Sequence, residues 1–366
     1  MKNSYESTPD HRGADSVRND GISVVVCCYN SEQRLPETLL HLWQQVTSDG
    51  TPIEVVLVDN NCTDRTIDIA KHSHAVANTS IPLRIITEKK PGLTSARITG
   101  IRHALYETII LCDDDNWLES DYCLIAHKIM SEHPTVGLAG GCSTGVFEIE
   151  PPPWFDSISG AWALGTSYYQ GYLEGDDAFL RGAGLIVRRS YFLELLESGF
   201  EFIASDRKGK NLSSGGDSEF SREFTRLGYR LYFDSRLQLK HWITSNRLTR
   251  EYAMRLWEGF GAGTIPGDAD RIAKLGSQRI RNYIRTSWMY QVARGSIQLL
   301  CTITKSPIFH KHDPRPALGW CSQKGRILAI VGMRSKYRRL ILKRVDWLEK
   351  TCSATVGVRL DEMNET

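Results

Sequence analysis

Apolar, β-branched runs recur along the first part of the chain, and each is followed by a segment with helical spacing. Ile22 to Cys28 (ISVVVCC) is apolar on both faces, and Leu35 to Gln45 then places its apolar residues on one helical face. The unit repeats: Ile53 to Val58 ends in Asp59, and Thr63 to His72 carries the next helical pattern. Leu83 to Thr87 predicts a third strand, Pro91 and Gly92 a turn, Leu93 to Tyr106 a helix, and Thr108 to Cys112 a fourth strand. A further helix is expected from near Ser120. Strands apolar on both faces and alternating with helices specify a mostly parallel sheet covered on both sides.

Later the pattern changes. Cys142 to Gly175 is irregular, with Pro151, Pro152 and Pro153 in a row and many aromatics. Leu185 to Val187, Tyr229 to Phe233 and Leu237 to Lys240 read as short strands, with a helix from Gly215 to Arg226. Beyond Arg247 the spacing is helical, clearest over Leu248 to Phe260 and Arg279 to Thr304. The expected organisation is a polar leader (1–20), an α/β domain (21–245) and a helical accessory region (246–366). Within the domain, 21–141 reads as a nucleotide-binding half and 142–245 as an acceptor-binding half.

At 366 residues and 41% hydrophobic content the chain can bury a large core. Its 45 basic and 43 acidic residues nearly cancel, which gives no global field to gather nucleic acid. Nine cysteines show no paired metal spacing, and Cys27, Cys28 and Cys112 fall inside apolar runs, so reduced thiols and a cytoplasmic setting are expected. The leader lacks a signal-peptide core, and no stretch approaches the roughly 18 apolar residues of a spanning helix.

The chemistry gathers at one sheet rim. In an open α/β sheet, ligands bind beyond the carboxyl ends of the strands. The first run ends at Tyr29 and Asn30, the second at Asp59, and the fourth at Asp113, Asp114 and Asp115. Three consecutive aspartates repel one another unless a cation or donors compensate. Mg²⁺ or Mn²⁺ is held by one or two carboxylates together with phosphate oxygens and water. If the backbone stays extended, Asp113 and Asp115 project the same way, one toward a ribose and one toward a metal–diphosphate. The plainer alternative is a solvated turn ahead of the next helix.

The series SVVVCCYN, EVVLVDNNCTDRT, PGLTSARITGI, LCDDDNWL and GGDSEF resembles glycosyltransferase family 2, over about residues 21 to 245. The resemblance implies the GT-A nucleotide-diphospho-sugar fold and an inverting, metal-dependent sugar transfer to a hydroxyl, as in bacterial cell-surface polysaccharide or glycoconjugate synthesis. It implies that Tyr29, Asn30 and Glu32 line the nucleotide pocket, that Asp59 contacts the base, and that Arg97 lies near ribose or phosphates. Asp113 and Asp114 are then donor-binding, and Asp115 holds the metal. Asp217 corresponds to the general base, with Glu219 two residues on. His241 stands where some members supply a metal ligand.

Such a transfer needs little else. A divalent ion offsets charge on the leaving diphosphate, and one carboxylate takes the proton of the attacking hydroxyl. Asp217 follows Gly215 and Gly216, which would let the backbone approach a ligand; alternatively Asp217 is only a helix N-cap. Arg247 would meet a diphosphate or simply start a helix. Trp154, Arg181 and Glu219 are expected on the acceptor side, with Trp154 in an aromatic stretch that suits sugar faces or forms a hydrophobic lid.

The expected partners are a nucleotide-diphospho-sugar, a UDP-sugar favoured, and a saccharide or lipid-linked saccharide acceptor. Nine basic against two acidic residues between Cys321 and Lys350 suggest peripheral contact with anionic lipid, or only surface charge. A nicotinamide dehydrogenase is excluded because Cys28-Tyr29-Asn30-Ser31 bears no Gly-x-Gly-x-x-Gly. A sugar nucleotidyltransferase would need a glycine-rich basic loop at that point. A scaffold that has lost turnover remains as the non-enzyme reading.

Overall fold

The computed structural model describes residues 18–47, 50–165, 168–175, 178–204, 207, 212, 215–274, 284–303 and 313–364. The leader up to residue 17 and the pair His310 and His312 lie outside them. Nine strands form one sheet: β1 (Arg18–Cys28), β2 (Ile53–Asp59), β3 (Leu83–Thr87), β4 (Tyr106–Asp113), β5 (Asn116–Leu118), β6 (Val136–Phe147), β7 (Gly171–Leu173), β8 (Leu185–Arg188) and β9 (Arg230–Ile243). Their order is β3-β2-β1-β4-β8-β6-β9-β5, with β7 also on β9. Strands β1 to β4, β6 and β9 run one way, and β5, β7 and β8 run against them, which makes the sheet mostly parallel.

Alternation along β1 assigns its side chains to two layers. Ile22, Val24, Val26 and Cys28 pack with α1 (Leu35–Trp43), α2 (Thr66–Ala77) and α4 (Tyr122–Glu132). Val25 faces the other layer, with α3 (Leu93–His103), α5 (Arg189–Glu197) and α6 (Gly216–Arg226). Helices therefore cover both faces, the solution for strands without a polar side.

The chain continues through α7 (Arg250–Gly263), α8 (Pro266–Ala273), α9 (Trp288–Ile303), α10 (Arg315–Gly332) and α11 (Tyr337–Asn364). Ile265, Ala269, Ile330, Tyr337, Ile341 and Trp347 join the same apolar cluster as Val25 and Leu111. The helices after residue 246 thus extend the core of the sheet. Among the described residues no helix is long and apolar enough to cross a membrane.

The strands β6, β7 and β9 differ from expectation, β6 most of all. Residues 136–147 form β6, although Gly140, Gly141 and Gly145 suppress strand propensity there. Gly141 is required by packing: a Cβ would lie 2.0 Å from the Leu237 carbonyl oxygen. At this point β6 and β9 shift register, and β9 bulges over Asp234 to Leu237. Asp234 is buried in the bulge because Arg236 donates to it from Nε at 3.0 Å and Nη2 at 2.7 Å.

Behind the sheet, Arg344 of α11 is 3% exposed and pairs with Glu219 at 2.6 Å and Glu223 at 3.2 Å, both on α6. Burial pushes both glutamates above the usual carboxylate range, and the guanidinium works against that. Glu219 also accepts the amides of Ile203 and Ala204. It ties the chain ahead of the helix to α11 and faces no solvent, which corrects the expectation that it binds acceptor. Losing that cation would strand buried Glu219, while Glu223 would keep only Arg226 at 2.6 Å. Arg344→Ala is expected to lower unfolding free energy by about 3–5 kcal/mol in urea titration, whereas Lys350→Ala, whose partner Asp346 is exposed, should barely move the midpoint.

Candidate active site

A cavity of about 1200 Å³ opens at the carboxyl ends of β1 and β4. Tyr29, Asn30, Arg97, Asp113, Asp114, Asp115, Arg181, Asp217 and His241 all line it. Residues far apart in sequence are brought together because both halves of the domain present strand ends or helix starts to this rim.

The three aspartates do not stay extended. β4 ends at Asp113 and the chain turns through Asp114 and Asp115 into β5, so each carboxylate meets a different arginine. Asp114 pairs with Arg34 at 2.7 Å and accepts from Ser31 Oγ. Asp113 and Asp217 share Arg97, at 3.3 and 3.0 Å. Asp115 takes Arg247 Nη1 at 2.6 Å and has His241 Nε2 at 3.5 Å. The mutual repulsion noted in the sequence is thus answered by three guanidinium groups, none of which had been assigned as a carboxylate partner.

Burial raises the Asp113 carboxyl, with Arg97 opposing and Asp115 and Asp217 adding to the rise. Asp115 behaves oppositely: burial disfavours its charge, but His241 and Arg247 outweigh that and hold it well below the usual range. Burial pushes the Cys27 thiol up to about 12, so this cavity-lining group is no thiolate nucleophile at neutral pH. The seven cysteines resolved among the described residues are all unpaired.

Asp217 lies in the first turn of α6 and caps nothing; Gly215 is the N-cap. Its Oδ2 accepts the amide of Gly182 at 2.8 Å, and its Oδ1 accepts from Arg97. A Cβ at Gly182 would stand 2.5 Å from Asp217 Oδ1 and 2.8 Å from Arg97 Nη2, so a side chain here would displace that pair. Gly215 serves a different purpose from the one expected. Its φ is +132°, and a Cβ there would meet Gly263 Cα at 2.7 Å, so it allows α7 to approach rather than a ligand.

Asp115 and His241 are the cavity groups whose chemistry could ligate a divalent cation, with Nε2 3.5 Å from Oδ1. The ring Nδ1 faces the Trp162 carbonyl at 2.8 Å, which requires a proton on that nitrogen, and Nε2 lies 3.5 Å from Asp115 Oδ1 and 3.3 Å from Arg247 Nη1. A permanently charged guanidinium therefore already lies against the oxygen and nitrogen that would ligate a metal. Arg247 is 8% exposed, and among the described residues its Nε and Nη2 have no hydrogen-bond partner. Buried donors left open at a cavity wall suit the oxygens of a phosphate. Among the described residues no group of three or more His, Cys, Asp or Glu forms a metal cluster. Diphosphate oxygens would have to complete such a coordination shell.

Other expected residues stand elsewhere. Asp59 accepts the Cys62 amide at 2.8 Å in a turn beside the cavity, and its neighbours Asn60 and Asn61 line the wall instead. Asn60 fixes the Pro91–Gly92 loop by donating to Glu88 and Lys90 carbonyls and accepting from Gly92. Glu32 accepts the Arg65 amide at the start of α2 and does not line the cavity. Trp154, 3% exposed, packs with Phe155 and Trp162 in a closed aromatic cluster, which corrects its assignment to an acceptor wall. Arg181 donates to the Gly165 carbonyl at 2.7 Å and does border the cavity.

Residues 23–196 match the model of Glycosyl transferase family 2. EpsH of Bacillus subtilis is 32% identical over 107 residues, which are 29% of this chain and 29% of EpsH. Glycosyltransferase GlyA of Streptococcus pneumoniae is 28% identical over 152 residues, 42% of this chain and 20% of GlyA. The alignments thus span under a third of either relative. The mannosyltransferase PcManGT from Pyrobaculum calidifontis, in complex with GDP-Man and Mn²⁺, superposes with a TM-score of 0.50 at 16% identity, covering 90% of each chain. The fold is that of the GT-A glycosyltransferases. The match to glycosyltransferase family 2 covers residues 23–196, just under half of the 366 residues, and the curated relatives are glycosyltransferases as well.

Arg97 compensates two carboxylates at once, so its loss should show a pH signature. Asp113 already sits above its usual range, and a carboxyl raised by folding weakens the fold at any pH where it is ionised. Removing Arg97 enlarges that penalty. Arg97→Met is expected to cost on the order of 1–3 kcal/mol at pH 7, with the deficit shrinking as pH falls toward about 4 and Asp113 takes up a proton. Urea unfolding at the two pH values checks it.

Proposed function

We propose that the protein is an inverting glycosyltransferase that moves a sugar from a nucleotide-diphospho-sugar to a hydroxyl of a saccharide or lipid-linked saccharide. The observation that carries this reading is that Asp217 and the pair Asp115 and His241 border one cavity of about 1200 Å³. Among the described residues the four carboxylates that line the cavity, Asp113, Asp114, Asp115 and Asp217, are each paired with an arginine, and the cavity thiol Cys27 is neutral, which favours a single displacement over a covalent intermediate.

In this reading Tyr29, Asn30 and Asp114 form the nucleotide wall, and Asp59 supports it from the turn behind. Glu32 holds the start of α2 at that edge. Asp115 and His241 hold Mn²⁺ or Mg²⁺, which when bound supplies Lewis-acid stabilisation of the departing diphosphate. Arg247 gives its two open N–H groups to phosphate oxygens. Asp113 and Arg97 orient the donor.

Asp217 accepts the proton of the acceptor hydroxyl. The hydroxyl oxygen bonds to the anomeric carbon from the face opposite the diphosphate, whose C–O bond breaks, and configuration inverts. The amide of Gly182 and the guanidinium of Arg97 fix the carboxylate for that task. Arg181 borders the acceptor side. We favour a UDP-sugar as donor, polysaccharide or glycoconjugate synthesis as the setting, and a reducing cytoplasm, in keeping with the unpaired cysteines. The likeness in fold to a mannosyltransferase described with GDP-Man and Mn²⁺ is compatible with such ligands.

Two variants separate the roles. Asp217→Asn is expected to cut turnover by about 10²–10⁴-fold while donor affinity, measured by calorimetry, stays within about twofold. Asp115→Asn should instead abolish the Mn²⁺-dependent part of the thermal shift given by UDP. A scaffold without turnover would give no transfer in the unaltered protein under any metal.

A further inference from the structure

The nine basic residues between Cys321 and Lys350 offered one membrane-facing surface, but much of that charge is paired with carboxylates, inside the fold for Arg326 and Arg344 and at the surface for the lysines. Lys324 pairs with Glu258, Arg326 with buried Asp268, Lys343 with Glu201, Arg344 with Glu219 and Glu223, and Lys350 with Asp346. A different surface has the opposite character.

Helix α9 buries one side and exposes another of the same polarity. Gln291 and Gly295 face inward, and a Cβ at Gly295 would touch Ile327 of α10 at 3.0 Å. On the far side Met289, Ile297 and Leu300 are 62%, 63% and 64% exposed, with Ala293 exposed between them. Their spacing of four, four and three residues sets them in one line along the helix. Exposed Arg294 flanks the line, and Arg285 precedes the helix.

The sequence around α9 is as one-sided in charge. From Arg271 to His312 there is no Asp or Glu, although the chain holds 43 in 366 residues, and the same span carries eight Lys and Arg. An apolar helical line within a stretch devoid of carboxylates matches an anionic lipid surface, where the side chains enter the headgroup boundary and the cations meet phosphates. A second copy of the chain fits less well. From Met289 to Leu300 the line is only about 17 Å long at 1.5 Å per residue. At a helix width of about 10 Å the face covers about 170 Å², far short of the roughly 800 Å² per partner that a stable dimer buries.

We propose that the Met289, Ala293, Ile297 and Leu300 face of α9 docks the protein on an anionic lipid bilayer. This does not depend on the catalytic assignments, since vesicle binding is read without sugar transfer. The full chain is tested by flotation with vesicles of phosphatidylcholine alone and of phosphatidylcholine with phosphatidylglycerol. The protein should float with the anionic vesicles and stay behind with the neutral ones. Ile297→Glu with Leu300→Glu should reduce the floating fraction about tenfold or more, with the thermal midpoint kept. Met289→Glu, a single change at an exposed position, should weaken flotation in the same direction and guards against misfolding of the double variant. Absence of flotation by the unaltered chain, or flotation indifferent to these changes, overturns the proposal. So does a dimer that the double variant splits without any vesicle binding, which would assign the face to a second copy.

Discussion

The site depends on guanidinium groups buried among carboxylates. Arg97 is held between Asp113, at the end of β4, and Asp217, in the first turn of α6. Without that cation, two acidic groups from the two halves of the domain would face each other across a partly desolvated gap, and each half would be pushed from the other. Arg34 and Arg247 repeat the arrangement at Asp114 and Asp115. Fixed positive charge thus preserves a concentrated acidic rim.

A second layer supports the first from behind. Arg344 locks Glu219 and Glu223 of α6, and Glu219 grips the amides of Ile203 and Ala204 ahead of the segment that leads to Asp217. A helix near the end of the chain therefore sets the position of a carboxylate in the middle of it. The apolar cluster shared by the sheet and α8, α10 and α11 gives that lock a rigid backing.

Much of the fold was legible because strands buried on both faces have an unmistakable composition. Ile22–Cys28, Ile53–Val58 and Leu83–Thr87 needed no tertiary information, and the observed strands match them within a residue except at the start of β1. β6 was not legible, since its glycines answer to the Leu237 backbone and Leu180 rather than to strand propensity. β9 read as two strands because the charged Asp234 and Arg236 satisfy each other inside a bulge. At the site, the aspartates stood out by their clustering at strand ends. Their arginine partners did not, for Arg247 lies 132 residues from Asp115 and Arg97 lies 120 from Asp217. Glu219 and Trp154 looked functional for the same reason in reverse: what consumes each of them is spatial, and for Glu219 it comes from a helix 125 residues away.

The central claim is that Asp115 and His241 are the cation side of the same crevice in which Asp217 receives a proton. Anomalous diffraction at the manganese edge, from crystals grown with Mn²⁺ and UDP, addresses it directly. The account predicts one dominant peak within coordination distance of the Asp115 carboxylate and His241 Nε2, with Arg247 turned onto the diphosphate. A peak at other carboxylates, with Arg247 still clasping Asp115 and the nucleotide bound elsewhere, would contradict it.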